Sequence, residues 1–470
     1  MDRGIEPDLA RSTLQRVRGV LAIPAFRRLW TVTAITASAE WQSLLALSAL
    51  ATQLTSGYQA QSFALGGVIA TKLLPALVLG PLAGALADKL DRRHVMVVCD
   101  VLRAGLFLSI PLVGELVWLF VATFLIELCA LFWIPAKDAS IPNLLRRPGQ
   151  VETANQLGLI MTYGVAVLVG AGVFSALSKL GPLLSQVELI PGAEGAAYLA
   201  LTINGAAYLC CALVVGTRIP EISGRPAVQR RAQPGLLSML REGVLFVRGT
   251  PLVRGLVTGI VGAFAAGGAV IACAKLYSTS LGGGDAAYGL LFASLFVGLG
   301  LGMVLAPQLA RRIRHRGLFG LAIVAAGVAL VAVALAPHLI VALAAVILAG
   351  MAAGVAFLTG LTLIGAQVAD EMRGRTIAFV QSLVRLDLLA SMALVPFAVG
   401  LVQQRTITLF GGPVTIDGTR PVLLCAGLLA VLVGVVAHRQ MDDRLDGSML
   451  ADLRAGVRRR PRPTPPGGPG

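Results

Sequence analysis

Charge is what this sequence has least of. Asp, Glu, Lys and Arg together make up 13% of 470 residues, where a soluble domain carries about a quarter. Apolar types reach 56% and the mean hydropathy is +0.81. These values exclude a water-soluble globule and with it the usual reading of a basic chain, nucleic-acid binding. Histidine is also scarce: His94, His315, His338 and His438 stand far apart and give no metal site. The six cysteines, Cys99, Cys129, Cys210, Cys211, Cys273 and Cys425, lie in or beside apolar runs. They lack the spacing of a disulfide framework or a zinc site. No G-x-x-x-x-G-K-[ST] phosphate loop, no H-E-x-x-H and no Ser/His/Asp grouping is present. Nothing here points to an enzyme, a metal or an organic cofactor.

What is present is a series of apolar runs. A helical span needs about 20 apolar residues to cross a hydrocarbon core of about 30 Å. Twelve runs of that kind follow one another, from Leu29–Leu54 to Val422–Ala437, with the fifth over Val151–Leu177. They predict an all-α membrane protein. The expected parts are a cytoplasmic N-terminal segment, 1–28, and a six-helix half, 29–216. A cytoplasmic linker, 217–251, a second six-helix half, 252–438, and a disordered basic tail, 439–470, complete the chain. The first 28 residues lack the apolar core and small-residue cleavage site of a signal peptide.

The positions of the cations fix the direction of the spans. Of the 39 Lys and Arg, 32 fall in the termini and in the loops that alternate with the odd-numbered turns. Only Lys179, Arg405 and Arg420 fall on the opposite side. Basic residues favour the cytoplasmic side, so twelve spans with both termini cytoplasmic satisfy the rule at every crossing. The net charge of +15 is then a consequence of topology, with anionic lipid as its partner. The long loop after span 6 divides the chain into six plus six. "GALADKLDRRHV" between spans 2 and 3 has a weak counterpart in "VLAPQLARRIRHRG" between spans 8 and 9. Duplicated halves of this kind are common in secondary transporters.

"GALADKLDRR" resembles the signature loop of the major facilitator superfamily, G-x-L-A-D-[RK]-x-G-[RK]-[RK]. Gly84, Leu86, Ala87, Asp88, Lys89, Arg92 and Arg93 match, and Asp91 replaces the second glycine. "FRRLW", "DVLRA" and "PAKDASIPNLL" are similar to the branch containing enterobactin and macrolide exporters. The resemblance covers nearly the whole chain. It implies the major facilitator fold, two pseudo-symmetric six-helix halves working by alternating access. It also implies that Gly84, Asp88, Lys89, Arg92 and Arg93 form a gating loop. Asp88 would meet the positive N-terminus of span 11, and Arg92 and Arg93 would pair with acids such as Asp138.

A few ionisable residues lie deep in the spans. Unpaired, each costs about 2.5–3.5 kcal/mol at the bilayer centre, so each is expected to be paired or to line a wet cavity. Glu40 is the first candidate for proton coupling and Glu127 the second, because the resemblance puts spans 1 and 4 on the cavity. Each could instead pair structurally with Arg385 or Lys72. Arg385 and Asp387 are two apart and point to different faces. Spans 2 and 11 adjoin in the family, so Lys72 and Asp387 are expected to form an inter-half bridge, with Arg385 facing the cavity. Arg103 and Lys275 lie nearer span ends and are expected to snorkel. In span 5 the exporter pattern G-P-x-x-G-G is absent. Gly164, Gly170 and Gly172 remain without the proline.

The sequence therefore reads as a monomeric secondary transporter of the plasma (inner) membrane. Proton-coupled export of a small amphipathic molecule, such as a drug, siderophore or metabolite, is the leading expectation, with the proton gradient as energy source. A same-fold facilitator, importer or lipid flippase is the alternative, and a non-transporting receptor a further one.

Overall fold

The computed structural model describes residues 13–87, 90–145, 148–184, 195–223, 251–367, 370–402, 405–409 and 412–441. A short helix, α1 (Thr13–Leu21), precedes the long ones. These are α2 (Pro24–Gln53), α3 (Tyr58–Ala87), α4 (Arg92–Val113) and α5 (Leu116–Leu144). The fifth expected span is broken into α6 (Pro148–Ile160), a π turn (Met161–Val165) and α7 (Ala166–Leu184). There follow α8 (Ala196–Arg218), a 3-10 turn (Pro220–Ile222), α9 (Pro251–Ser280) and α10 (Gly284–Ala310). Then come α11 (His315–Leu335), α12 (Leu339–Gln367), α13 (Asp370–Leu401) and α14 (Thr419–Met441). Between α13 and α14 lies an element the sequence did not suggest, an antiparallel hairpin of β1 (Arg405–Leu409) and β2 (Gly412–Ile416), paired Arg405 to Ile416.

Among the described residues, 9 helices are long and apolar enough to cross a membrane. The long helix α2 is more polar, with Glu40, Gln42 and a series of Ser and Thr residues. Hydrocarbon offers no water to such groups, so the helix must satisfy them itself. It does so by bonding back: Thr33 donates to the Leu29 carbonyl (2.9 Å), Thr36 to Val32 (3.0 Å) and Ser38 to Ala34 (2.8 Å).

The ends of α4 follow from two residues. Asp91 stands in extended backbone at its N-cap and accepts the His94 backbone N–H at 3.1 Å. It also accepts the Ser223 hydroxyl at 2.7 Å. The aspartate that departs from the family pattern is thus a helix cap. Gly114 ends the helix at φ 66, a left-handed conformation open to glycine, and its N–H bonds the Ile110 carbonyl.

The chain forms two compact units. The first holds the described residues of Met1–Ala232, Ala272–Ala293 and Met392–Gly418. The second holds those of Gln233–Ile271, Ser294–Ser391 and Thr419–Gly470. In the second unit α11 and α14 touch backbone to backbone. A methyl added at Gly327 would lie 2.6 Å from the Gly427 carbonyl, and one at Gly427 2.9 Å from the Gly327 carbonyl. Small residues permit such an approach where lipid gives little driving force for association.

In the first unit the parts of α10 and α13 that belong to it pack against α2, α3 and α7. Ser62 donates to the Pro396 carbonyl at 2.6 Å, and Phe63 packs on Phe397 with ring centroids 4.9 Å apart. Ser175 donates to the Ala286 carbonyl at 3.1 Å. Trp41, Phe292, Tyr288 and Phe174 form a chain of rings with successive centroids 5.9, 6.4 and 6.3 Å apart. These contacts lie toward the end of the unit that carries the α2–α3 and α9–α10 turns.

Candidate functional site

Five charged residues of the first unit, Glu40, Lys72, Asp100, Arg103 and Glu127, lie on four of its helices, α2 to α5. The seam between α2 and α8 sets the frame. On α8, Asn204 and Tyr208 are one turn apart. Asn204 donates to the Ala39 carbonyl at 3.0 Å and Tyr208 to the Thr36 carbonyl at 3.5 Å. The two bonds fix α8 against the turn of α2 that carries Glu40.

Glu40 accepts a hydrogen bond from Nη2 of Arg103, on α4. The guanidinium is wholly buried, whereas the Glu40 side chain is 37% exposed. Arg103 also stacks over the Tyr208 ring, 4.4 Å from its centroid, and Phe107 stacks on the same ring with centroids 5.5 Å apart. Arginine suits this place because its planar, weakly hydrated cation can stack and hydrogen-bond together. One helical turn before it on α4 lies Asp100, fully buried, with both carboxylate oxygens lacking a hydrogen-bond partner. The Nε and Nη1 atoms of Arg103 lack partners too.

Beside this group, Lys72 on α3 donates to Glu127 on α5. Their side chains are 16% and 19% exposed. The two expected acids are therefore both paired, but not as a set with common partners. Glu40 takes Arg103, and Glu127 takes Lys72.

Several expectations need correction. Arg103 does not snorkel: it faces the helix bundle and reaches Glu40, since the direction a side chain takes depends on the helix face and not on its distance from the span end. Lys275 is likewise buried and donates to Asp285 in the first turn of α10. Asp138 is exposed and pairs with the adjacent Lys137 at 2.9 Å. Arg93 turns instead to the C-terminus of α8, donating to the carbonyls of Val215 at 3.3 Å and of Gly216. There it neutralises the negative end of the helix. Arg92 is buried, with Nε and Nη1 lacking hydrogen-bond partners.

Asp387 is partly buried on α13, and its Oδ2 has no hydrogen-bond partner. Lys72, expected to bridge to it or else to pair with Glu127, donates to Glu127. Asp88 and Lys89 fall outside the described residues, as do the side chains of Gly84 and Arg385.

The π turn gives span 5 its own geometry. Its wider winding frees carbonyls from the ordinary helical ladder, and the Trp41 indole donates to one of them, Thr162, at 2.8 Å. Gly170 lies against α2, where an added methyl would meet the Ser38 carbonyl at 2.7 Å. Gly164 and Gly172 face open space. The packing role of the missing motif is thus carried by one glycine and one indole.

Asp100, Arg103 and Tyr208 were not singled out from sequence as a site. A signal did exist. "DVLRA" places an acid and a base three residues apart inside an apolar run, a spacing that puts both on one helix face.

Comparison with known proteins bears on this arrangement. The family model described as Major Facilitator Superfamily matches residues 29–386. The uncharacterised MFS-type transporter YfiS of Bacillus subtilis is 25% identical over 189 residues, 40% of this chain and 42% of that protein. The putative bacilysin exporter BacE of Bacillus amyloliquefaciens is 31% identical over 147 residues, 31% of this chain and 35% of its own length. The matched stretch thus spans under half of these relatives. Among solved structures, a bacterial homologue of the human lysosomal transporter Spinster, inward-facing and unoccupied, superposes with TM-score 0.68. It is 15% identical and covers 92% of this chain and 98% of its own. A substituted form of the nucleoside transporter NupG gives TM-score 0.66 at 14% identity, over 89% of this chain and 100% of its own. At these identities the two structures speak to the fold alone.

Proposed function

The chain belongs to the major facilitator superfamily, and from that premise we propose that it is a proton-coupled exporter of a small amphipathic molecule. It works by alternating access between two six-helix halves, in the plasma membrane, with both termini cytoplasmic. It acts as a monomer among anionic lipids, with the proton gradient as its energy source and no enzymatic chemistry. The observation that carries this reading is the Glu40–Arg103 pair. A guanidinium with no exposure is joined to a carboxylate that is 37% exposed. Hydrocarbon would penalise so open a carboxylate. Its open side therefore suits water, a proton or the transported molecule. A membrane potential supplies about 2.3 kcal/mol per charge per 100 mV to a cycle that moves protons.

The partial likeness to a putative bacilysin exporter agrees with export. Gly84, Asp88, Lys89, Arg92 and Arg93 are proposed as the cytoplasmic gate, and Arg385 as a cavity residue. A same-fold facilitator, importer or flippase is favoured by one feature, the π turn of span 5 in place of the proline-containing exporter motif.

Proteoliposomes enclosing a pH indicator test the reading against a panel of amphipathic compounds. Wild-type protein should collapse an imposed pH gradient when a transported compound is added, and Glu40→Gln should lose at least about nine-tenths of that rate, the loss of a group essential to coupling. Equal responses from the two proteins would overturn proton coupling through Glu40. Compound movement that ignores the gradient would favour the facilitator.

A further inference from the structure

Among the charges that gather on α2 to α5 around Glu40, the acids outnumber the bases by one: Glu40, Asp100 and Glu127 stand with Lys72 and Arg103. Lys275 and Asp285 pair with each other at the α9–α10 turn. Among the described groups, Asp100 is the acid whose carboxylate is fully buried with neither oxygen hydrogen-bonded. The Arg103 charge and the Trp133 indole lie near it, and burial without a formed hydrogen bond is costly. One turn away is a buried guanidinium with two of its three nitrogens unbonded. Arg103 has five N–H donors in a fork, and it uses one nitrogen on Glu40.

We propose that Asp100 is a second seat for Arg103, and that Glu40, vacated when Arg103 moves there, binds the cationic group of an organic ligand. The inference rests on Glu40 facing the transported molecule, as read above. The geometry gives the direction of the exchange. Glu40 has an open side and Asp100 has none. A cation arriving from that side reaches Glu40 alone. It displaces a positive charge, which needs a buried anion within a side-chain swing. Asp100 is such an anion, three residues earlier on the same helix. Tyr208 supports the guanidinium in either seat, since a ring face tolerates lateral motion of the cation above it. Glu127 cannot serve in place of Asp100, because Lys72 already holds it. The other side chains facing the exchange, Cys99, Cys129, Trp133 and Cys211, bring no charge of their own to it. The ligand class follows: a lipophilic organic cation, with the apolar body of the molecule held by the surrounding spans.

Equilibrium binding of tetraphenylphosphonium to the detergent-solubilised full chain tests this without any gradient, so its failure and the failure of coupled transport are separate results. Wild type should bind the cation, and Glu40→Gln and Asp100→Asn should each weaken binding about tenfold or more, the scale of one lost charge partner. Neutral triphenylphosphine oxide should show no dependence on Asp100. The Asp100→Asn, Arg103→Met double variant should regain most of the cation affinity, since no displaced guanidinium then needs a seat. Wild-type affinity in Asp100→Asn, or a double variant as weak as Asp100→Asn, overturns the proposal. A second readout avoids the variants altogether. In fluorotryptophan-labelled wild type, the Trp133 resonance, assigned through Trp133→Phe, should shift at saturating cation because Trp133 neighbours Asp100. An unshifted Trp133 resonance at saturation also overturns it.

Discussion

Replacing Glu127 by Gln would strand the Lys72 ammonium between α3 and α5. Both side chains are less than one-fifth exposed, so the ammonium could recover only part of its hydration. Removing one partner of a dry buried pair costs about 3–5 kcal/mol, and a lone charge at the centre of a membrane helix about 2.5–3.5 kcal/mol. The residual exposure favours the lower end, about 2–3 kcal/mol for either single substitution. Putting Lys72→Met together with Glu127→Leu removes both charges and both desolvation costs, and such replacements are often neutral or stabilising. The double variant should therefore recover most of what either single variant loses, with a coupling energy of about 2 kcal/mol. Equilibrium unfolding in mixed detergent and SDS micelles measures the four proteins side by side. Single losses that simply add in the double variant would refute the argument. The same cycle run with Asp387→Asn tests the inter-half bridge: coupling of Lys72 to Asp387 and not to Glu127 would make that bridge the working pair.

Three further outcomes are expected. Gly170→Leu should sharply reduce the folded yield, because its side chain would enter the Ser38 carbonyl at 2.7 Å, whereas Gly172→Leu, facing open space, should express as wild type. Size-exclusion recovery compares them, and equal yields would contradict the α2–α7 contact. Asp91→Ala should destabilise the protein by about 1 kcal/mol through loss of the α4 cap, with faster deuterium uptake at His94 and Val95; unchanged uptake would argue against the cap. Trp41→Phe should cost about 1 kcal/mol, the net worth of one hydrogen bond, and raise deuterium uptake around Met161–Val165. Protection equal to wild type there would mean that the indole does not support the π turn.

Much of the architecture was legible because it is written locally. Hydropathy counts residues along the chain, and a span declares itself wherever about 20 apolar residues follow one another. Span 1 is an instructive case. Its Thr, Ser and Gln residues lower its hydropathy, yet each hydroxyl named above bonds to a carbonyl one turn back, so the segment still forms a 30-residue helix. The hairpin between α13 and α14 was not legible, being ten residues of short strand in what reads as loop. The π turn was equally silent, since nothing in "MTYGV" departs from helical composition.

The charged residues divide along the same line. That Glu40 and Glu127 need partners follows from sequence alone, because the cost of an isolated charge in hydrocarbon does not depend on the fold. Which partners they take does depend on it. Of the two partners the sequence allows Lys72, Asp387 and Glu127, the structure gives it Glu127; Arg103, expected at the membrane surface, hydrogen-bonds Glu40. Pairing is set by the rotation of each helix about its axis and by which helices adjoin, and neither is a property of a single segment.

The sequence by itself determined the membrane-spanning character and the family, both of them read from sums over local composition or from a contiguous motif. Only the tertiary structure decided that α2, α4 and α8 meet at one level. There a carboxylate, a guanidinium and a phenol from residues 40, 103 and 208 share one interaction, and a second carboxylate, Asp100, is left beside them without a hydrogen bond.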